Sequence, residues 1–146
     1  MTEALIVAGS SSAPLAKAVA RAIKTDRLPV TIGAFPNPET PVQLLGEAAD
    51  KHVFLFASTG PPVNAHLMES LLITDALRRA GARRVTAVFP YLGYGRQDRV
   101  SRPGEPVSAH LIVKLLKAAG ITDVLVVDPH SPAFSEFCTL EQVAVT

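Results

Sequence analysis

The sequence predicts an α/β protein built on a mainly parallel five-stranded sheet flanked by helices. Short apolar runs alternate along the chain with longer segments of helical periodicity, which is the order of βαβ units. Three of those runs, Val53 to Ala57, Val85 to Phe89 and Val124 to Val127, are continuous rather than alternating, as strands covered on both faces are. A length of 146 residues, 48% hydrophobic and 18% charged, suffices for one core and one domain.

Taken in order, Ala4 to Ala8 reads as a first buried strand. Gly9 to Ser12 is a turn whose serines can cap a helix from Pro14 to Lys24, with proline in its first turn. Pro29 to Phe35 is expected as the second strand and Val53 to Ala57 as the third. Val63, Leu67, Leu71, Leu72, Ala76 and Leu77 then recur at helical spacing, entered at Pro61-Pro62 and stopped at Gly81. Val85 to Phe89 follows as the fourth strand. Val107, Leu111, Leu115 and Ala119 form a second apolar stripe between Pro106 and Gly120, and Val124 to Val127 is the fifth strand. Glu141 to Thr146 offers one more short strand.

Composition narrows the function. A formal net charge of +1 provides no global field to hold nucleic acid or an anionic membrane. A single cysteine, Cys138, excludes an internal disulfide, and no zinc spacing occurs. With no signal-peptide pattern and no apolar stretch of membrane-spanning length, a cytoplasmic protein without nucleic-acid or membrane partners is expected. The sequence contains no GxxxxGK[ST], GxSxG or HExxH, so P-loop, serine-hydrolase and zincin templates find no support.

Ligands of open parallel sheets gather at the carboxyl ends of the strands, and three loops there are chemically rich. Pro90 to Arg99 (PYLGYGRQDR) combines glycine freedom, two aromatic rings, guanidinium groups and an amide, a set able to hold an aromatic base and an anionic phosphate. The blander reading is a surface loop. Arg96, Arg99 and Arg102 stand as candidates, whereas Arg78 to Arg84 are assigned to the solvated end of a helix. Asp128-Pro129-His130 places a carboxylate and an imidazole where a strand ends, and both could face one divalent ion; a capping role for Asp128 is equally open. Phe35-Pro36-Asn37-Pro38-Glu39 offers a ring, an amide and a carboxylate, and taken alone is a proline-stiffened turn. His52, His66 and His110 have no carboxylate partner implied by spacing and are taken as ordinary surface or interface residues.

Together the loops resemble those of the ribose-phosphate pyrophosphokinases. Pro90 to Arg99 is similar to the family's Pro-Tyr-x-x-Tyr-Ala-Arg-Gln-Asp stretch, and Gly104 to Ala109 (GEPVSA) continues it. Val63 to Leu72 is similar to its Asn-x-x-Leu-Met-Glu-Leu-Leu helix, and Asp128-Pro129-His130 resembles its Asp-Leu-His metal motif. The resemblance implies a phosphoribosyltransferase-like fold and transfer of a pyrophosphoryl group from ATP to ribose 5-phosphate. It also implies that Phe35, Asn37 and Glu39 contact the adenine end of ATP across a subunit interface of a homo-oligomer. Arg96, Gln97 and Asp98 would complete the nucleotide site, Asp128 and His130 would bind Mg²⁺, and His130 and Arg96 would be the catalytic residues. Pro129 in place of leucine, Val100 in place of a basic residue, and Phe134 to Phe137 depart from the family pattern.

Family enzymes carry a second, similar domain with an Asp-Asp-x-x-x-Thr-Gly ribose-phosphate loop and a mobile basic segment. Neither is found in this sequence. The resemblance therefore implies that residues 1–146 are the amino-terminal, ATP- and Mg-binding half, with most of the ribose 5-phosphate site in the missing half and no activity alone. The alternatives are a regulatory module that associates with full-length synthetase, and a nucleotide-binding domain with another transferase chemistry.

Overall fold

The computed structural model describes residues 4–127, 129, 130 and, as backbone, 141–145. Its elements are β1 (Ala4–Ala8), α1 (Ala13–Ile23), β2 (Asp26–Arg27), β3 (Val30–Ile32), β4 (Val42–Leu44), β5 (His52–Phe56), α2 (Val63–Arg79), β6 (Arg84–Phe89), α3 (Ser108–Ala119), β7 (Asp123–Val127) and β8 (Glu141–Val145). Six strands form one sheet in the order β2-β1-β5-β6-β7-β8, and β3 pairs with β4 in a separate two-stranded sheet. Every pairing in the large sheet is parallel.

Alternation along the strands divides the core into two layers. Leu5 and Val7, Val53 and Leu55, Val85, Ala87 and Phe89, and Val124 and Val126 pack with Ile73 and Leu77 of α2 and Ile112, Val113 and Leu116 of α3. Ile6, Phe56 and Val88 point the other way, onto Ala16 and Ala20 of α1. The continuous apolar runs are thus explained by burial on both faces. The helices stop as their sequences require: Lys24 and Gly120 adopt left-handed cap conformations, at φ 53° and 108°. A Cβ at Gly120 would also lie 2.6 Å from Arg78 Cγ.

Two expectations shift. Pro29 to Phe35 does not enter the large sheet: Asp26–Arg27 takes that edge, with Leu5 opposite Asp26 and Ile6 opposite Arg27. Val30–Ile32 instead turns back antiparallel on Val42–Leu44, projecting the 33–41 segment as a hairpin tip. The serines of the first turn do not cap α1 through their side chains; the Ser12 hydroxyl accepts the Ser58 N–H at 2.8 Å instead. The expected extra strand over 141–146 is β8, alongside β7.

At the amino ends of the strands, register sets His52 beside Arg84 and Thr86 beside Asp123. Arg84 is therefore a strand residue, not part of a solvated helix end, and its Nε and Nη2 each donate to the buried Asp123 carboxylate at 2.6 Å. Thr86 Oγ1 donates to Asp123 at 3.2 Å, so the His52 Nε2–H donates to Thr86 Oγ1 at 2.8 Å. The His52 ring also stacks on Phe54, with centroids 4.3 Å apart.

Burial, then the Arg84 guanidinium, lower the His52 pKa below its ordinary 6.5, with Asp123 acting the other way. The unfolded chain consequently takes up a proton near pH 6.5 that the folded chain refuses until a lower pH, so stability declines as pH falls below that point. His52→Gln is expected to flatten this decline. Urea unfolding of both proteins at about pH 7.5 and about pH 5.5 measures it; equal losses of stability would exclude His52 as the source.

Candidate functional site

The carboxyl ends of β1, β5, β6 and β7 open on one rim of the sheet. Strand order reverses between β1 and β5, the usual place for a ligand crevice, and polar groups of the protein bond one another there. Ser11 Oγ donates to Ser58 O at 2.7 Å, and Ser58 N–H donates to Ser12 Oγ. The buried Glu69 carboxylate of α2 accepts the Ser10 N–H and hydroxyl, both at 2.7 Å. Gly9 permits this approach, since a Cβ there would lie 2.8 Å from Glu69 Oε1. A histidine, His66, steadies the next turn by donating from Nδ1 to Gly60 O at 2.8 Å.

Among the described residues, a cleft lies between the β6 loop and the end of β7. It measures about 120 Å³ and is lined by Tyr91, Leu92, Gly95, Arg96, Val126, Pro129 and His130. The structure thus brings Arg96 and His130 together. Such a volume has room for a phosphate-sized group, below the ~300 Å³ at which sites for larger ligands begin. Asp128 lies outside the described residues. Gln97 and Asp98 do not line the cleft. The Gln97 amide oxygen accepts the Ser108 hydroxyl at 2.5 Å and its backbone oxygen accepts the Ala109 N–H at 3.0 Å.

The loop carrying Arg96 is shaped differently from what its GxG suggests. Tyr94, rather than either glycine, occupies the left-handed region, at φ 64°, and its hydroxyl donates to Asn64 Oδ1. Gly93 is required for close approach: a Cβ would meet Val63 Cγ1 at 2.6 Å and Thr59 O at 2.8 Å. Farther on, Glu105 Oε2 gathers the Ser101 and Arg102 N–H groups at 3.1 and 3.0 Å, leaving the Arg99 and Arg102 side chains at the exposed outer turn.

Phe35 and Glu39 belong to a second, open apolar groove of about 550 Å³, lined also by Pro38, Thr40, Asn64, Ala65, Met68 and Leu72. Asn37 is exposed on the same hairpin tip and is not among the lining residues. Groove and cleft share no lining residue within one chain. They are joined through the Asn64–Tyr94 hydrogen bond, because Asn64 lines the groove and Tyr94 sits on the loop that borders the cleft.

For magnesium the fit rests on donor chemistry. Among the described residues no three His, Cys, Asp or Glu side chains cluster to hold a metal. Mg²⁺, however, keeps several waters and is commonly held by substrate phosphates with one or two carboxylates. Among the described residues the cleft offers the ion one imidazole and no carboxylate, while its guanidinium suits the phosphate oxygens and not the cation. No described helix is long and apolar enough to cross a membrane.

Two residues central to this geometry escaped the sequence reading, Thr59 and Glu69 in its bonding role. Thr59 follows a strand end, the position that singled out the other loops, and that rule alone was its available signal. Glu69 looks like any helix carboxylate until β1 is placed beside it.

A parallel sheet with its cleft at the carboxyl rim, flanked by an antiparallel hairpin, defines an α/β domain of the phosphoribosyltransferase-like class. The family model for the N-terminal domain of ribose phosphate pyrophosphokinase matches residues 4–120. The ribose-phosphate pyrophosphokinase of Granulibacter bethesdensis is 44% identical over 132 residues, 90% of this chain and 43% of that protein. That of Aquifex aeolicus is 39% identical, over 90% of this chain and 42% of that protein. The crystal structure of phosphoribosylpyrophosphate synthetase from Mycobacterium smegmatis superimposes with a TM-score of 0.95 at 33% identity, covering 99% of this chain and 48% of that one. The chain belongs to the ribose-phosphate pyrophosphokinase family, and it spans about two fifths of the length of these curated relatives.

Proposed function

We propose that these residues form the nucleotide-binding amino-terminal domain of a ribose-phosphate diphosphokinase. In that reaction the 1-hydroxyl oxygen of ribose 5-phosphate attacks the β-phosphorus of ATP. The bond from that phosphorus to the α,β-bridging oxygen breaks, the hydroxyl proton is lost to solvent or a base, and phosphoribosyl pyrophosphate and AMP result. The observation that carries the reading is the joint placement of Arg96 and His130 in a phosphate-sized cleft at the sheet's carboxyl rim, in a chain of this family.

Arg96 supplies a fork of donors to phosphate oxygens. Asp128 and His130 would hold the Mg²⁺ that accompanies ATP, and that ion would offset charge on the phosphates. Phe35 presents a ring for the adenine and Glu39 a carboxylate for its amino group, with Asn37 at the same tip and Gln97 and Asp98 behind Arg96. Because groove and cleft are separate within one chain, we assign base and phosphates of one ATP to two copies, in a cytoplasmic homo-oligomer. The ribose 5-phosphate site is assigned mainly to a second domain, so that residues 1–146 bind ATP without turning it over.

Calorimetric titration of the 146-residue chain tests the assignment. Mg-ATP is expected to bind saturably, ATP in EDTA more weakly, and ribose 5-phosphate not at all, with no AMP formed when all are mixed. Absence of ATP binding would overturn the nucleotide assignment, and AMP production would overturn the division between domains.

A further inference from the structure

We infer that Thr59 is the positioning residue that sets the geometry of the Tyr91–Gln97 loop, and through it the direction of Arg96. Thr59 is 1% exposed, just past the end of β5. Its hydroxyl accepts the Gly93 N–H at 2.7 Å and donates to Tyr91 O at 3.1 Å, while its own N–H donates to Tyr91 O at 2.9 Å. One hydroxyl thereby bridges a carbonyl and an amide two residues apart on a strand-less loop. A side chain must both donate and accept to do this, which threonine and serine can and valine cannot.

The clamp is tight on both sides. Gly93 has no room for a Cβ against Thr59 O and Val63 Cγ1, so the loop backbone rests directly on the Thr59 turn. Four residues on, the Gln97 carbonyl is fixed by the Ala109 N–H. Between these two pinned ends the arc Tyr94–Gly95–Arg96 has little freedom, and the Tyr94 hydroxyl on Asn64 removes more. Arg96 itself is exposed, so its placement comes from the backbone beneath it. The effect on ATP rests on the proposed nucleotide site; the effect on the loop does not.

The sequence provides a local probe, since Tyr91 and Tyr94 are its two tyrosines and it has no tryptophan. Thr59→Val keeps the shape and deletes the hydroxyl; Thr59→Ser restores it. In Thr59→Val, Gly93 amide exchange is expected to quicken on the order of tenfold and Mg-ATP affinity to fall by about as much, the scale of losing the buried acceptor of the Gly93 N–H while Tyr91 O keeps the Thr59 N–H. Acrylamide quenching of tyrosine fluorescence should rise as well. Exchange of the β1 and β5 amides should stay as in the parent, and Thr59→Ser should recover all readouts to within about twofold.

If the parent chain binds no ATP, the nucleotide reading fails, while Gly93 exchange and tyrosine quenching still decide the clamp. Unchanged exchange at Gly93, or a rise spread evenly over β1 and β5, overturns the inference. Should Thr59→Val not fold, Thr59→Ala takes its place, and failure of both to fold assigns Thr59 to the core and also overturns it.

Discussion

Phe89→Ala is expected to destabilise the chain by about 3–5 kcal/mol, the range for deleting a large buried aromatic. Phe89 is fully buried at the carboxyl end of β6, opposite Val126 of β7, in the layer closed by α2 and α3. A loss of that size is a large part of the ~5–15 kcal/mol typical of a folded domain, and should lower the unfolding midpoint by roughly 10 °C or more. Phe89→Leu, which keeps most of the volume, should cost about 1.5 kcal/mol or less. Urea unfolding measures both, with an unchanged m-value identifying the loss as one of packing. A change below about 1 kcal/mol for Phe89→Ala would mean that the layer relaxes around the gap, contrary to its close packing.

Phe89 also shows why so much of the fold was legible. It ends a run in which every residue from Val85 is buried, and such a run has few uses other than a central parallel strand. The helices announced themselves through apolar periodicity and through Gly120 at a left-handed stop. Asp26–Arg27 could not be seen in this way, because a two-residue exposed edge strand carries no apolar pattern. Val30–Ile32 and Val42–Leu44 each alternate, as hairpin strands do, yet the proline-rich 33–41 segment between them lacks the short turn that flags a hairpin.

The site divides along similar lines. Strand ends pointed to the loops bearing Arg96 and His130, and the structure joins those two residues in one cleft. Hydrogen bonds that fix the loops run between Thr59 and Gly93, 34 residues apart, and between Asn64 and Tyr94, 30 apart. Nothing local in the sequence marks such pairs. The glycines of GYG suggested conformational freedom, whereas Gly93 serves contact and Tyr94 bears the left-handed turn.

The second large effect concerns Arg96. Arg96→Ala should weaken Mg-ATP binding by about 10- to 150-fold, the equivalent of the ~1.5–3 kcal/mol of hydrogen bonds to charged groups. Among the described residues the Arg96 side chain, which is exposed, enters no ion pair or hydrogen bond, so the unfolding midpoint of Arg96→Ala is expected to stay close to that of the parent. That separation makes the measurement diagnostic: affinity falls while stability does not, the reverse of Phe89→Ala at temperatures where most of that variant is folded. Arg96→Lys keeps the charge but loses the planar fork, and should fall between the two. Raising the salt should weaken the parent more than Arg96→Ala, since the lost contact is a screened surface attraction. Calorimetry of the three proteins at low and high salt provides the comparison, and equal ATP affinity in all of them would remove Arg96, and the cleft it lines with His130, from the nucleotide site.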